Sequence, residues 1–131
     1  MGISRSELRE KAMVILYQIE IYKKSSIAYE VDDIIKENLE IDNDFVKNIV
    51  YGVVTDYDKL VSEINTYMNE WSIDRIDKTG ASILLSAVYE LKNMDTPSVV
   101  VVNEAIELAK KYSDDSVRKI INAVLDRMIK E

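Results

Sequence analysis

Turn-forming chemistry is scarce in this chain. Three glycines and one proline in 131 residues leave few places where the backbone could reverse as a hairpin requires. Apolar residues meanwhile recur at three- and four-residue intervals, and the reading is an all-α fold. Ser4 precedes a first stripe of Leu8, Ala12, Ile15, Leu16, Ile19 and Tyr22, with Glu7 at the capping-box position, which predicts a helix over about 5–23. A shorter helix over about 28–38 carries Val31, Ile34 and Ile35 and leads to Leu39. Asp42-Asn43-Asp44 then caps a long run over about 43–69, through Val46, Ile49, Val50, Val53, Tyr57, Leu60, Ile64 and Met68. Gly52 lies inside that run at a cost of about 1 kcal/mol against alanine, which points to another helix crossing closely there.

Asp77 caps a further helix carrying Ile83, Leu84, Ala87, Val88 and Leu91. Thr96-Pro97 reads as a cap followed by proline at the first helical position, where its missing N–H would be unpaired in any case. Val99 to Val102 is β-branched and alone would suggest a strand. Asn103 to Lys110 continues it with helical periodicity and no intervening turn, so the segment is read as a helix beginning at Pro97. Ser113 or Asp114 caps the last helix, whose stripe is Val117, Ile120, Ile121, Val124, Leu125 and Met128. A chain of this length is expected to form one domain around one core.

With no cysteine and no histidine, Cys/His zinc sites, disulfides, thiol nucleophiles and Ser-His-Asp triads are all excluded. Glu90, Glu104 and Glu107 raise the question of a carboxylate metal site, but helical di-iron sites use Glu-x-x-His pairs. No glycine-rich phosphate loop exists, and no nucleophile is paired with a base. The expectation is a protein that is not an enzyme and needs neither metal nor cofactor. No apolar stretch approaches the ~20 residues of a membrane span. Arg5, Glu7, Arg9 and Glu10 near the start do not read as a secretory signal, so a cytoplasmic location is expected.

The net charge of −7 is unevenly spread: residues 1–24 carry +2, 25–70 carry −8 and 71–131 carry −1. Such a chain repels a phosphate backbone at long range unless one face is locally basic. Two islands could supply that face: Arg5, Arg9 and Lys11 at the start of the first helix, and Lys110, Lys111, Arg118 and Lys119 around the last connection. Cations in a first helical turn oppose the macrodipole, a sign that something outside the helix uses them. The plain alternative is a solvated surface balanced by Glu7 and Glu10. Eight of the ten aromatics are tyrosine. Tyr17, Tyr57 and Tyr89 read as packing residues, whereas Tyr112, beside the basic junction, is left open as a stacking platform for a base.

Three strings carry a family resemblance: Trp71-Ser72-Ile73-Asp74-Arg75-Ile76 with Ile83-Leu84 and Tyr89-Glu90-Leu91; Pro97 with Val102-Asn103-Glu104-Ala105-Ile106-Glu107-Leu108-Ala109-Lys110; and Asn122-Ala123-Val124-Leu125-Asp126. With Leu16-Tyr17-Gln18 and Gly52-Val53 upstream, the chain resembles the NusB family of bacterial transcription antitermination factors over about residues 5–128. The resemblance implies seven helices in two packed bundles, here about 1–69 and 70–131. It also implies binding of boxA RNA together with the ribosomal protein NusE, in the RNA polymerase antitermination complex that reads through terminators in ribosomal RNA operons. By the same resemblance, Arg5, Arg9, Arg118 and Lys119 are RNA-binding positions, to which the reading adds Lys11 from the first basic island and Ile120 beside Lys119, and Tyr17, Asp74 and Arg75 face NusE.

Departures from the family pattern bear on affinity. Ser6, Glu7 and Leu8 thin the arginine cluster, Ile120 stands where an aromatic is frequent, Leu85 replaces a usual arginine and Ala123 a common glycine. Each phosphate left without a cation lowers the salt slope by about 0.7 for a single strand, so RNA binding without NusE should be weak. The alternatives are a protein-interaction module of the same fold with weak or absent RNA binding, and a homodimer that hides the RNA face. The RNA reading requires the two basic islands to share a surface. It also expects Arg9→Ala and Lys119→Ala each to weaken RNA binding while leaving thermal stability nearly unchanged.

Overall fold

In the computed structural model, which describes residues 2–131, the chain folds into α1 (Arg5–Lys24), α2 (Val31–Asn38), α3 (Asp44–Thr55), α4 (Tyr57–Thr66), α5 (Lys78–Asn93), α6 (Ser98–Tyr112) and α7 (Asp115–Lys130). A single 3-10 turn, Ile73–Arg75, lies between α4 and α5, and no strand occurs among the described residues. Four helices open on the short polar side chains that the sequence offers. The side-chain oxygens of Ser4, Asn43, Asp77 and Asp114 accept from the backbone N–H groups of Glu7, Val46, Gly80 and Val117. Each thereby satisfies an amide that has no partner inside its helix.

Three boundaries differ from the sequence reading. The run over 43–69 is two helices, because Asp56 leaves helical geometry (φ −101°, ψ 20°) between α3 and α4. Val53, Val54 and Thr55 are β-branched and Asp56 competes for backbone hydrogen bonds, so this is the weakest stretch of the run. The short second helix begins at Val31 rather than 28, with no side-chain cap at Glu30. The sixth begins at Ser98, one residue after Pro97, because the Thr96 hydroxyl that could have capped it donates instead to Glu90, 2.6 Å away. Ser113 is likewise engaged, its hydroxyl donating to Asp77, which leaves the last cap to Asp114.

The core is one continuous cluster running from Leu8 through Ile49 and Ile83 to Leu125, so the expected halves 1–69 and 70–131 share it. At its centre is α5, which packs against α1, α3, α4, α6 and α7 and has every residue from Ser82 to Val88 buried. A helix enclosed on all sides must satisfy its own polar groups, and it does. The Ser82 and Ser86 hydroxyls donate to the carbonyls of Lys78 and Ile83. Gly52 on α3 faces α5, as the sequence implied, and the close neighbour there is the Tyr89 side chain. A Cβ there would lie 2.0 Å from the Tyr89 ring.

One ion pair is buried within this packing. Arg9 of α1 is only 8% exposed and Glu90 of α5 only 2%. Arg9 donates from Nε to Glu90 Oε1 at 2.9 Å and from Nη2 to Oε2 at 2.7 Å, a bidentate clasp that Thr96 completes. Glu104 of α6 stands 3.6 Å from the remaining guanidinium nitrogen and accepts from Ser6 at 2.6 Å. Glu90 and Glu104 thus hold a guanidinium, at the place where the sequence raised the question of a metal ion. Arg9 is therefore corrected from a surface RNA contact to a structural residue joining three helices. The Glu90 hydrogen bond, with its charge and that of Glu104, raises the Arg9 pKa and keeps it cationic despite burial.

Two stability measurements check this packing. Gly52→Ala should destabilise the protein by about 1–3 kcal/mol because the Tyr89 ring must leave its place. The same change in a Tyr89→Ala background should be neutral or stabilising, since alanine is the better helix residue. Arg9→Ala should cost about 3–5 kcal/mol by stranding the buried Glu90 carboxylate, reversing the neutral outcome that the sequence suggested. Pairing Arg9→Met with Glu90→Leu should recover much of that stability in thermal melts.

Candidate nucleic-acid interface

Several cations near the starts of α1 and α7 remain free of carboxylates among the described residues. Arg5, in the first turn of α1, is exposed, and its guanidinium carbon lies 4.2 Å from the centroid of the Phe45 ring at the start of α3. Lys11, one turn beyond Glu7, is exposed and has no carboxylate within 4.0 Å among the described residues. On α7 the same holds for Lys119, while Arg118 is half-buried and reaches Asp115 at 3.4 Å.

The junction between α6 and α7 is less positive than its sequence. Lys110 pairs with Glu107 at 3.5 Å, and Lys111 reaches across to Glu10 of α1 at 2.7 Å. The Tyr112 hydroxyl donates to the same carboxylate, so this ring is tethered at its polar end. Glu10 is held below the ordinary carboxylate range, first by the Lys111 hydrogen bond and then by that of Tyr112. The two islands therefore meet at an anion instead of forming an unbroken positive strip.

Lys119 and Ile120 line a groove of about 510 Å³ between α7 and the segment that follows α4. Met68, Asn69, Glu70 and Trp71 form one wall, and Ala123, Val124 and Arg127 continue the α7 wall. Arg127 donates to the Tyr67 carbonyl at 2.6 Å and, with the Asn69 amide turned to suit it, to Asn69 Oδ1 at 2.9 Å. Asn69 itself has a φ of 56°, the left-handed conformation that reverses the chain after α4. Sequence reasoning missed Trp71 and Arg127 as site residues. Ile120, Val124 and Arg127 are spaced by four and three, which places them along one helical face, and that signal could have found the arginine.

The three positions expected to face a protein partner are all exposed. Tyr17 is 36% exposed on α1, and Asp74 and Arg75 are exposed in the 3-10 turn. Tyr57 connects these elements: its hydroxyl donates to Glu20, three residues along α1 from Tyr17. Burial, then Glu20, then the charge of Asp74 push the Tyr57 phenol up to about 12. Arg75 donates to the Glu70 carbonyl at 3.0 Å and stands 5.6 Å from the centre of the Trp71 ring.

Acid titration checks the contact at the junction. A carboxyl held below its ordinary pKa stabilises the fold above the unfolded value near 4.5 and ceases to do so as pH falls through the folded value. Thermal melts between pH 6 and pH 3, pH values chosen to span about that range, should show a smaller acid-induced drop for Glu10→Gln than for the parent.

Known proteins share both the sequence pattern and the helical arrangement. The model of the NusB family matches residues 6–130. A Staphylococcus aureus transcription antitermination protein NusB is 39% identical over 130 residues, covering 98% of this chain and 100% of the relative. Among solved structures, T. maritima NusB superposes with a TM-score of 0.86 at 28% identity, covering 100% of this chain and 94% of that one. A chain in a crystal structure of antitermination factors NusB and NusE in complex with dsRNA gives a TM-score of 0.80 at 26% identity, with 96% of each chain covered. With the all-helical fold and a match that runs nearly end to end, this chain belongs to the NusB family.

Proposed function

We propose that this protein is a transcription antitermination factor that binds boxA RNA together with NusE and promotes read-through in ribosomal RNA operons within the RNA polymerase antitermination complex. The likeness to a chain seen with NusE and dsRNA, over 96% of both chains, carries this reading. Arg5, Lys11 and Lys119 are the exposed cations that would meet phosphates, with Arg118 available if its contact to exposed Asp115 opens. Ile120 offers an apolar surface to a base but no ring to stack on it. Arg9 acts from beneath, holding the start of α1 against α5. Tyr17, Asp74 and Arg75 are the NusE-facing positions. Unpaired RNA suits a helical protein because the deep major groove of an A-form duplex does not admit a helix, whereas splayed bases expose their edges.

One observation favours a second reading, a protein-interaction module with weak or absent RNA binding. Arg9 is buried, and Glu10 draws in Lys111, so fewer cations face solvent than the sequence contains. Equal affinity for boxA of NusE alone and of NusE with this protein would support it.

The test is a titration of labelled boxA RNA, single-stranded, duplex and scrambled, with the protein alone and with NusE at two salt concentrations. The complex should prefer single-stranded boxA to the scrambled strand. Lys119→Ala should weaken binding and lower the salt slope by about 0.7 with its melting temperature unchanged. No binding in any mixture, or equal binding to the scrambled strand, would defeat the proposal.

A further inference from the structure

Trp71 is the only tryptophan in the chain, and 47% of it is exposed, although an indole ordinarily buries most of its surface. It stands on the wall of the 510 Å³ groove, a volume within the roughly 300–1,000 Å³ of ligand-binding clefts. Arg75 lies over the ring with its guanidinium carbon 5.6 Å from the centre, a cation–π contact on part of the indole, and the ring is exposed beyond it. Across the groove are Lys119 and Arg127, neither with a carboxylate within 4.0 Å among the described residues. The groove lining carries one carboxylate, that of Glu70. Arg127 is already fixed by the Tyr67 carbonyl, so its guanidinium is positioned before any ligand arrives.

An aromatic face, an apolar floor and two unpaired cations are the parts from which single-stranded nucleic-acid subsites are made, the ring taking a base and the cations its phosphates. An apolar peptide would cover the indole but strand both cations without counter-charges. We propose that Trp71, Lys119 and Arg127 form a nucleotide subsite that takes one unpaired RNA base on the indole and the flanking phosphates on the two cations. The subsite rests on the RNA-binding reading above and extends it, since Lys119 belongs to both and leads the strand toward Trp71. Trp71 also compensates for Ile120, supplying from the opposite wall of the groove the ring that Ile120 lacks.

A lone tryptophan makes the subsite directly observable. The complex with NusE is titrated with single-stranded boxA RNA while emission and the anisotropy of the labelled RNA are followed together. The same titration with Trp71→Phe serves as the blank for any emission from NusE. Trp71 emission should be quenched with the same midpoint as the anisotropy change. Trp71→Ala should weaken RNA binding about tenfold and Trp71→Phe less, with melting temperatures and NusE affinity unchanged. RNA binding with undisturbed Trp71 emission and full affinity of Trp71→Ala would overturn the subsite and leave the RNA-binding reading standing. A fall in NusE affinity with RNA affinity intact would overturn it too, by making the groove a protein-binding surface. If no variant or parent binds RNA at all, both fall together. Should Trp71→Ala fail to fold, the quenching and the Trp71→Phe affinity decide the matter.

Discussion

A bidentate clasp between a guanidinium and a carboxylate, both removed from water, fixes where the first helix lies. Arg9 and Glu90 are two charges that cannot be exchanged for solvent contacts without opening the core. Coulombic attraction at low dielectric does not by itself make such a pair stabilising, because both partners give up hydration on burial. Its value is directional. Two parallel hydrogen bonds admit one orientation of α1 on α5, and Glu104, Ser6 and Thr96 extend that constraint to α6 and the loop before it. The clasp adds this directional constraint to the close packing of the hydrophobic surfaces.

That constraint also sorts the cations. Once Arg9 is used inside, the first helix presents Arg5 and Lys11 outward, Arg5 lying on the Phe45 ring and Lys11 in solvent. At the junction of α6 and α7, Lys111 and Tyr112 converge on Glu10, which tempers the most basic stretch of the sequence. What is left for a polyanion is a few separated cations and one groove with a ring in it. In the proposed joint action with NusE, such a surface leaves part of the affinity for the partner to supply.

Much of the fold could be read from the sequence because its signals are local. Ser4, Asn43, Asp77 and Asp114 each cap the helix they precede, since a side chain reaching an amide three residues ahead needs no tertiary help. Gly52 announced a close neighbour because glycine in mid-helix is unfavourable against alanine, and the Tyr89 ring takes the space a Cβ would fill. Two of the misreadings, at Thr96 and Arg9, arose where a tertiary partner overrode the local signal. Thr96 is a good cap by type, but Glu90 holds its hydroxyl. Asp56 interrupts a run whose apolar period continues unbroken on both sides. Arg9 looked like its neighbour Arg5, and only the packing of α5 tells a buried arginine from an exposed one. The groove at Trp71 was invisible for the same reason, because its two walls come from chain segments about fifty residues apart that no short pattern connects.

The Arg9–Glu90 clasp also governs when this fold can close during synthesis. Its partners are separated by 81 positions in the chain. The first helix leaves the ribosome with its guanidinium still hydrated, and although α2 and α3 follow to cover part of its apolar stripe, the carboxylate that Arg9 needs comes only with α5. A nascent chain therefore cannot complete the packing of its first helix until the central helix arrives.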